Sequence, residues 1–166
     1  MDRLLTGSMT FKYLTKSSSQ TKKLGELLAK KLLKEKKQKR AKILGLEGDL
    51  GGGKTTFLKG FAKGLGIKEK ITSPTFVIMK KFRISTKTYH LKPKTFIHID
   101  CYRINKSKEI LALGFKEIIF NSQNIVAIEW ADRIRGILPK NLIWIKFQFL
   151  SKNQRKIIIR DYNGLK

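Results

Sequence analysis

Eight consecutive residues, Gly48-Asp49-Leu50-Gly51-Gly52-Gly53-Lys54-Thr55, constrain this chain more than any other stretch, because they satisfy the spacing G-x-x-x-x-G-K-[ST] at every required position. Upstream, Lys42-Ile43-Leu44-Gly45-Leu46 has the length and apolarity of a buried strand. Downstream, Phe57, Leu58, Phe61 and Leu65 recur at helical spacing on one face. A glycine-rich loop between a strand and a helix is a phosphate-binding loop. Gly48, Gly51, Gly52 and Gly53 allow backbone conformations closed to other residues, so that consecutive N–H groups converge on anionic oxygens. The next helix aims its N-terminal end, worth about half a positive charge, at the same anion. Lys54 adds an ammonium, worth roughly 4 kcal/mol against one phosphate charge at about 4 Å and an effective dielectric near 20. Thr55 supplies a hydroxyl suited to magnesium.

Magnesium chemistry also asks for an acid, because one hydroxyl is a poor ligand set. Two strand ends offer one. Ile125-Val126-Ala127-Ile128 is a short apolar run ending in Glu129-Trp130, the hydrophobic-then-acid shape of a Walker B strand, and Thr95-Phe96-Ile97-His98-Ile99-Asp100 ends in Asp100. Glu129 is preferred as the metal-side acid, since its strand is uninterrupted apolar and therefore reads as central. Between loop and acids lies Thr72-Ser73-Pro74-Thr75-Phe76, where Pro74 breaks any helix and the hydroxyls, Thr75 among them, sit within reach of a nucleotide. An ordinary turn fits this segment equally well.

The remaining pattern predicts an α/β fold: a single-domain P-loop NTPase-like architecture with a central, mostly parallel sheet, flanking helices and antiparallel edge hairpins. Phe11 to Leu14 reads as an edge strand, and Ser17 to Thr21 as a helix start rich in N-cap types. The helix that follows buries Leu24, Leu27, Leu28 and Leu32. Phe76 to Arg83 and Thr95 to Asp100 pair antiparallel, Asn105 to Leu113 is helical with Gly114 as its stop, and Leu142 to Phe149 with Arg155 to Arg160 form a terminal hairpin. At 166 residues and 41% hydrophobic content one core is expected, burying about two-thirds of the unfolded surface. Residues 1–9 are expected to be disordered or an extension, with the domain running over 10–166.

No apolar run approaches the roughly 18 residues of a membrane span, and no signal-peptide centre is present, so a cytoplasmic location without membrane contact is expected. Cys101 is the single cysteine, which excludes an intramolecular disulfide and a cysteine zinc cluster. With only His90 and His98 as histidines, catalysis by clustered histidines or a serine triad has no support either. Asn105-Lys106-Ser107-Lys108 has lysine where a guanine reader needs aspartate, and the few scattered arginines do not suit a kinase lid. The 37 Lys and Arg against 12 Asp and Glu, a net charge of +25, imply attraction to nucleic acid or to an acidic partner. Lysines spread over a solvated surface account for the composition as well, as does the charge run Lys34 to Arg40 at the end of the first helix.

Taken together, Gly48 to Phe57, Thr72 to Phe76, His98-Ile99-Asp100-Cys101-Tyr102-Arg103 and Ile128-Glu129-Trp130 closely resemble the TsaE (YjeE) family, bacterial ATPases of tRNA threonylcarbamoyladenosine biosynthesis. The resemblance runs from about Ser18 to the last strand. It implies binding of ATP or ADP with magnesium by Gly48, Gly51, Gly52, Gly53, Lys54, Thr55 and Thr56, with Thr55 and Glu129 on the metal. It places Asp100 in the active site with Trp130 beside it, and makes the stretch Ser18 to Thr21, loosely matched, an adenine-side contact. It further implies weak hydrolysis, with Asp100, Glu129 and Thr75 as catalytic candidates, dependent on the TsaB and TsaD subunits, which modify adenosine 37 of tRNA. The chain alone is expected to be a monomer, with tRNA contact weak or indirect. The alternatives are a basic RNA-binding module with a regulatory nucleotide site and another small P-loop ATPase or kinase. Gly52, Cys101 and Ala131 depart from the residues usual in the family, and none of the three removes a phosphate or metal group.

Overall fold

The computed structural model describes residues 9–35, 38–72, 77–85 and 95–161. Its strands are β1 (Met9–Thr15), β2 (Lys42–Glu47), β3 (Met79–Arg83), β4 (Thr95–Asp100), β5 (Asn124–Glu129), β6 (Ile143–Phe149) and β7 (Arg155–Asp161). Its helices are α1 (Ser18–Lys34), α2 (Lys54–Gly64), α3 (Ser107–Leu111) and α4 (Phe115–Phe120), with a 3-10 segment at Ala131–Ile137. The strands form one sheet in the order β1-β7-β6-β2-β5-β4-β3. The four central strands run parallel, while β3 closes one edge and β7 and β1 the other in antiparallel pairing. This is the predicted α/β architecture. β5 is buried along its whole length and β2 along all but Glu47, as expected of central parallel strands covered on both faces.

Two apolar layers sandwich the sheet. On one side Leu28 and Leu32 of α1 and Phe57 and Phe61 of α2 pack on Phe96, Ile145 and Phe147. On the other, Ile110, Phe115 and Ile134 pack on Ile97, Ile128 and Trp144. Helix α1 starts where the hydroxyl run predicts: the backbone of Ser17 is extended and its Oγ accepts the Gln20 N–H at 3.2 Å.

α1 and α2 approach closely because glycines face the contact. A Cβ on Gly25 would lie 2.2 Å from the Phe57 carbonyl oxygen, and one on Gly60 only 1.8 Å from that of Lys22. This seam rotates the buried stripe of α1 toward Gly25, Ala29 and Leu33, which leaves Leu27 52% exposed rather than buried as its leucine spacing suggested. Three boundaries also differ from expectation. The strand read over Phe76 to Arg83 begins at Met79, leaving Val77 and Ile78 outside the ladder. The helix predicted over Asn105 to Leu113 is shorter, because Gly114, in the left-handed region at φ 77°, turns the chain and starts a second helix, α4. β1 begins at Met9, which pairs with Asp161, one residue before the expected domain start. No described helix is long and apolar enough to cross a membrane.

Candidate functional site

Because β2, β5 and β4 are parallel neighbours, their C-terminal ends and the loops that follow share one rim of the sheet. The loop after β2 takes left-handed backbone at Gly48 (φ 144°), Gly51 (φ 73°) and Gly53 (φ 101°). At Gly48 the demand is also steric, since a Cβ would sit 2.5 Å from the Phe147 carbonyl oxygen. Gly52 turns without left-handed backbone; its N–H donates to the Asp49 carbonyl at 3.0 Å, and a Cβ there would come within 2.8 Å of the same oxygen.

Lys54, only 4% exposed, opens α2 and bends back over the loop. Its ammonium donates to the carbonyls of Gly48 and Asp49 and lies 4.0 Å from the centre of the Trp130 ring. Burial pushes its pKa below the usual lysine value, against the opposing pull of Glu129, Asp100, Asp132 and Asp49. Thr55, one residue on, donates its hydroxyl to the Glu129 carboxylate, 3.1 and 3.0 Å from the two oxygens. Glu129 is 2% exposed and accepts a second hydrogen bond, from His98 Nε2 at 2.9 Å. Asp100 stands opposite Glu129 in the sheet register, and its Oδ1 accepts the Tyr102 N–H at 2.9 Å.

Trp130, immediately after Glu129, adopts left-handed backbone at φ 57° and ψ 40°, which costs a bulky L-residue about 1–2 kcal/mol. That conformation sets the indole beside Lys54, with Tyr102 at 5.1 Å and the Arg133 guanidinium at 5.6 Å from the ring. Next along the chain from Asp100, Cys101 is fully buried; burial, then the charges of Asp100 and Asp132, push its thiol up to about 12, which makes it an inert filler.

These groups border a cleft of about 910 Å³. Of the residues singled out in the sequence, Ser18, Thr21, Gly51, Gly52, Gly53, Lys54, Thr55, Thr56, Asp100 and Glu129 line it. Gly48 lies behind the wall, offering its carbonyl to Lys54, and Thr75 is outside the described residues. The Thr21 hydroxyl is engaged with Thr15 Oγ1 at 2.8 Å and the Ser17 carbonyl at 3.2 Å, so Thr21 presents its methyl group toward Gly53.

Two contributors were not read from the sequence. His98 is fully buried, stacked on Phe96, with Nδ1 unpartnered among the described residues; a polar side chain inside an apolar strand, two positions before a candidate acid, was the available signal. Arg155 comes from the far end of the chain. It donates to the Gly51 carbonyl at 3.0 Å and to those of Ser151 and Gln154 at 2.6 and 2.9 Å, fastening the β6–β7 turn to the glycine loop.

No group of three or more His, Cys, Asp or Glu side chains is arranged for a metal among the described residues. The Thr55 hydroxyl and Glu129 carboxylate are hard oxygen donors of the kind magnesium takes when phosphates and water complete its shell, so the residues present fit that ion.

A glycine loop joining a central strand to a helix, with an acid ending the adjacent parallel strand, defines a P-loop NTPase-like protein. In agreement, the crystal structure of YdiB from Bacillus subtilis superposes with a TM-score of 0.70 at 30% identity, covering 95% of this chain and 88% of that one. The family model for the threonylcarbamoyl adenosine biosynthesis protein TsaE matches residues 15–157, and the chain belongs to the TsaE family. The tRNA threonylcarbamoyladenosine biosynthesis protein TsaE of a Nostoc strain is 32% identical over 98% of this chain and 93% of its own length. That of Haemophilus influenzae is 32% identical over 85% and 84%, and that of Bacillus subtilis 38% identical over 69% and 66%.

Proposed function

We propose that this protein binds ATP and ADP with magnesium in the cleft and hydrolyses ATP slowly, as an accessory ATPase of tRNA threonylcarbamoyladenosine formation acting with TsaB and TsaD. The observation that carries the reading is the Thr55–Glu129 hydrogen bond beside the buried Lys54. An acid on a separate strand meets the hydroxyl that ends the glycine loop, which is the pairing a magnesium nucleotide needs. The pathway rests on family membership, and the TsaB and TsaD partners on the motif resemblance alone.

In this reading the loop N–H groups and the Lys54 ammonium hold the phosphates, the ammonium exchanging the Gly48 and Asp49 carbonyls for phosphate oxygens. Thr55 and Glu129 hold the magnesium, which supplies charge neutralisation at the terminal phosphates. His98 fixes the orientation of the Glu129 carboxylate through its Nε2–H. Asp100, at the adjoining strand end, orients the attacking water, and Thr75 senses the terminal phosphate. Ser18 borders the nucleoside end of the cleft. Slow turnover alone is expected: an arginine finger supplied in trans adds roughly 10³ to 10⁵ in rate, so hydrolysis should rise when TsaB and TsaD are added.

Calorimetric titration of ATP, ADP and GTP, with and without magnesium, tests the reading. Lys54→Ala should weaken ATP binding at least about tenfold, given the several kcal/mol of one close charge pair. Equal affinity in parent and variant, or fast hydrolysis by the isolated chain, would refute it.

A further inference from the structure

We propose that the open face formed by β1, β7 and β6 is a docking surface for the phosphate backbone of RNA, separate from the nucleotide cleft and independent of what the cleft binds. The register of the sheet builds this face. Residues directly paired across antiparallel strands point to the same side. Thr10, Arg160 and Trp144 therefore form one row, Lys12, Ile158 and Lys146 a second, and Leu14, Lys156 and Gln148 a third. The opposite side of the same strands carries Phe11, Ile157, Ile159, Ile145 and Phe147, packed in the layer shared with α1 and α2. On the open side, the described helical elements pack in a layer that reaches the sheet edgeward only as far as Leu142 and Trp144.

The exposed charged side chains of this face are of one sign, beside the uncharged Thr10 and Leu14. Lys12, Lys146 and Arg160 are exposed and Lys156 is half-buried. At the Trp144 end the rows run into a groove of about 580 Å³, to which Arg135 and Lys140 add two more cations. One acid lies in the groove, Glu47, and it is already engaged: it accepts from Trp144 Nε1 at 2.8 Å and pairs with Arg135 at 2.9 Å and Lys146 at 3.3 Å. No carboxylate among the described residues forms an ion pair with Lys12, Lys156 or Arg160.

The ordinary explanations cover only part of this. Edge strands commonly carry lysine to prevent pairing with another chain, which accounts for Lys12 on β1. It does not account for Lys156, Arg160 and Lys146, because β7 and β6 are interior to the sheet. The solvated side of an antiparallel sheet is ordinarily polar with both signs interleaved, since like charges on facing strands repel. Neighbouring strands lie about 4.8 Å apart, and alternate residues of a strand about 6.8 Å apart, so Lys12 and Lys146 each stand diagonally about 8 Å from both Lys156 and Arg160, within one Debye length at about 0.1 M salt. A surface that tolerates such repulsion is complementary to a polyanion with closely spaced charges. Among polyanions RNA is favoured because the chain belongs to a family named for a tRNA modification pathway, and because half or more of protein contacts to nucleic acid are backbone contacts made by residues of this kind.

The test is fluorescence anisotropy with an unmodified tRNA transcript across a salt series. The parent should lose affinity with a log–log slope near −3 to −4, the value expected for about four phosphate contacts. Joint substitution Lys12→Glu, Lys156→Glu and Arg160→Glu should weaken binding at least about tenfold and make the slope shallower by about 2 to 3. The same charge change on the helical side, Lys22→Glu, Lys34→Glu and Lys59→Glu, should cost less than about threefold, as expected of distant screened charges. If the reversed face unfolds the protein by circular dichroism, glutamine at the same three positions should still weaken binding and flatten the slope. Equal losses in the two sets of variants would overturn the proposal by showing diffuse attraction, as would no loss in either. RNA affinity unchanged while affinity for poly-glutamate falls would also overturn it, by assigning the face to an acidic protein.

Discussion

Lys54 carries a conflict between stability and binding in one side chain. Its pKa is lowered by burial, so at neutral pH the folded chain holds a proton there less readily than the unfolded chain does. A depressed lysine value means the residue subtracts from stability below its folded pKa, and the subtraction disappears as the pH rises past the ordinary lysine value of 10.5. Lys54→Met should therefore leave the ligand-free protein at least as resistant to urea as the parent at pH 7.5, while abolishing nucleotide-dependent stabilisation. A lower urea midpoint for the ligand-free variant would show that the Gly48 and Asp49 hydrogen bonds outweigh the desolvation. Ligand reverses the balance: ADP at about 100 times its Kd should stabilise the parent by about 2.7 kcal/mol. The strained backbone of Trp130 belongs to the same group, since it holds the aromatic wall of the lysine pocket.

At the scale of elements, the glycine loop is positioned by the seam between α1 and α2. α2 begins at Lys54, so any shift of its axis moves the ammonium and the Thr55 hydroxyl together. Gly60→Ala would drive a methyl into the Lys22 carbonyl at 1.8 Å, a backbone atom that cannot rotate away. The expected cost is about 1–3 kcal/mol or more, read from denaturant unfolding, with a parallel loss of ADP affinity because the helices must separate. Gly136→Ala, where a Cβ would meet nothing within 4 Å, is the matched control and should be near neutral. An unaltered denaturation curve for Gly60→Ala would show that the seam is looser than its geometry requires. Across the sheet, Arg155 performs a related task by tying the β6–β7 turn to Gly51, which makes the last hairpin a wall of the cleft as well as an edge.

Over the whole molecule the dominant fact is charge. With 37 basic and 12 acidic side chains, long-range repulsion opposes the compact state at low ionic strength. Local pairs relieve little of it: Glu26 gathers Lys23, Lys30 and Lys63, and Glu47 gathers Arg135 and Lys146, each acid serving several cations. The Debye length falls from about 10 Å at 0.1 M salt to about 3 Å at 1 M. The thermal midpoint should accordingly rise with sodium chloride over that range, because screening removes more repulsion than attraction. A flat or falling midpoint would mean that the ion pairs around Glu26 and Glu47 carry more of the stability than the net charge opposes.

What could be read along the chain was whatever depends on local spacing. The glycine loop, the strand before it, the helix after it and the runs ending in Asp100 and Glu129 announce themselves, because backbone freedom, helical period and strand burial leave their mark within a few residues. The Ser17 cap and the terminal hairpin were legible for the same reason. The preference for Glu129 over Asp100 rested on a guess about strand position, and which acid meets Thr55 follows from β5 lying next to β2, a pairing between residues about 80 positions apart in the register. His98 left a faint mark as a polar residue in an apolar strand, but its contact with Glu129, like Arg155 on Gly51, the bare glycine contacts of α1 with α2 and the one-signed face of β1, β7 and β6, carries no local signature. Each arises where distant segments meet, and contact between distant segments is set by how the sheet orders its strands and which of its faces the helices cover.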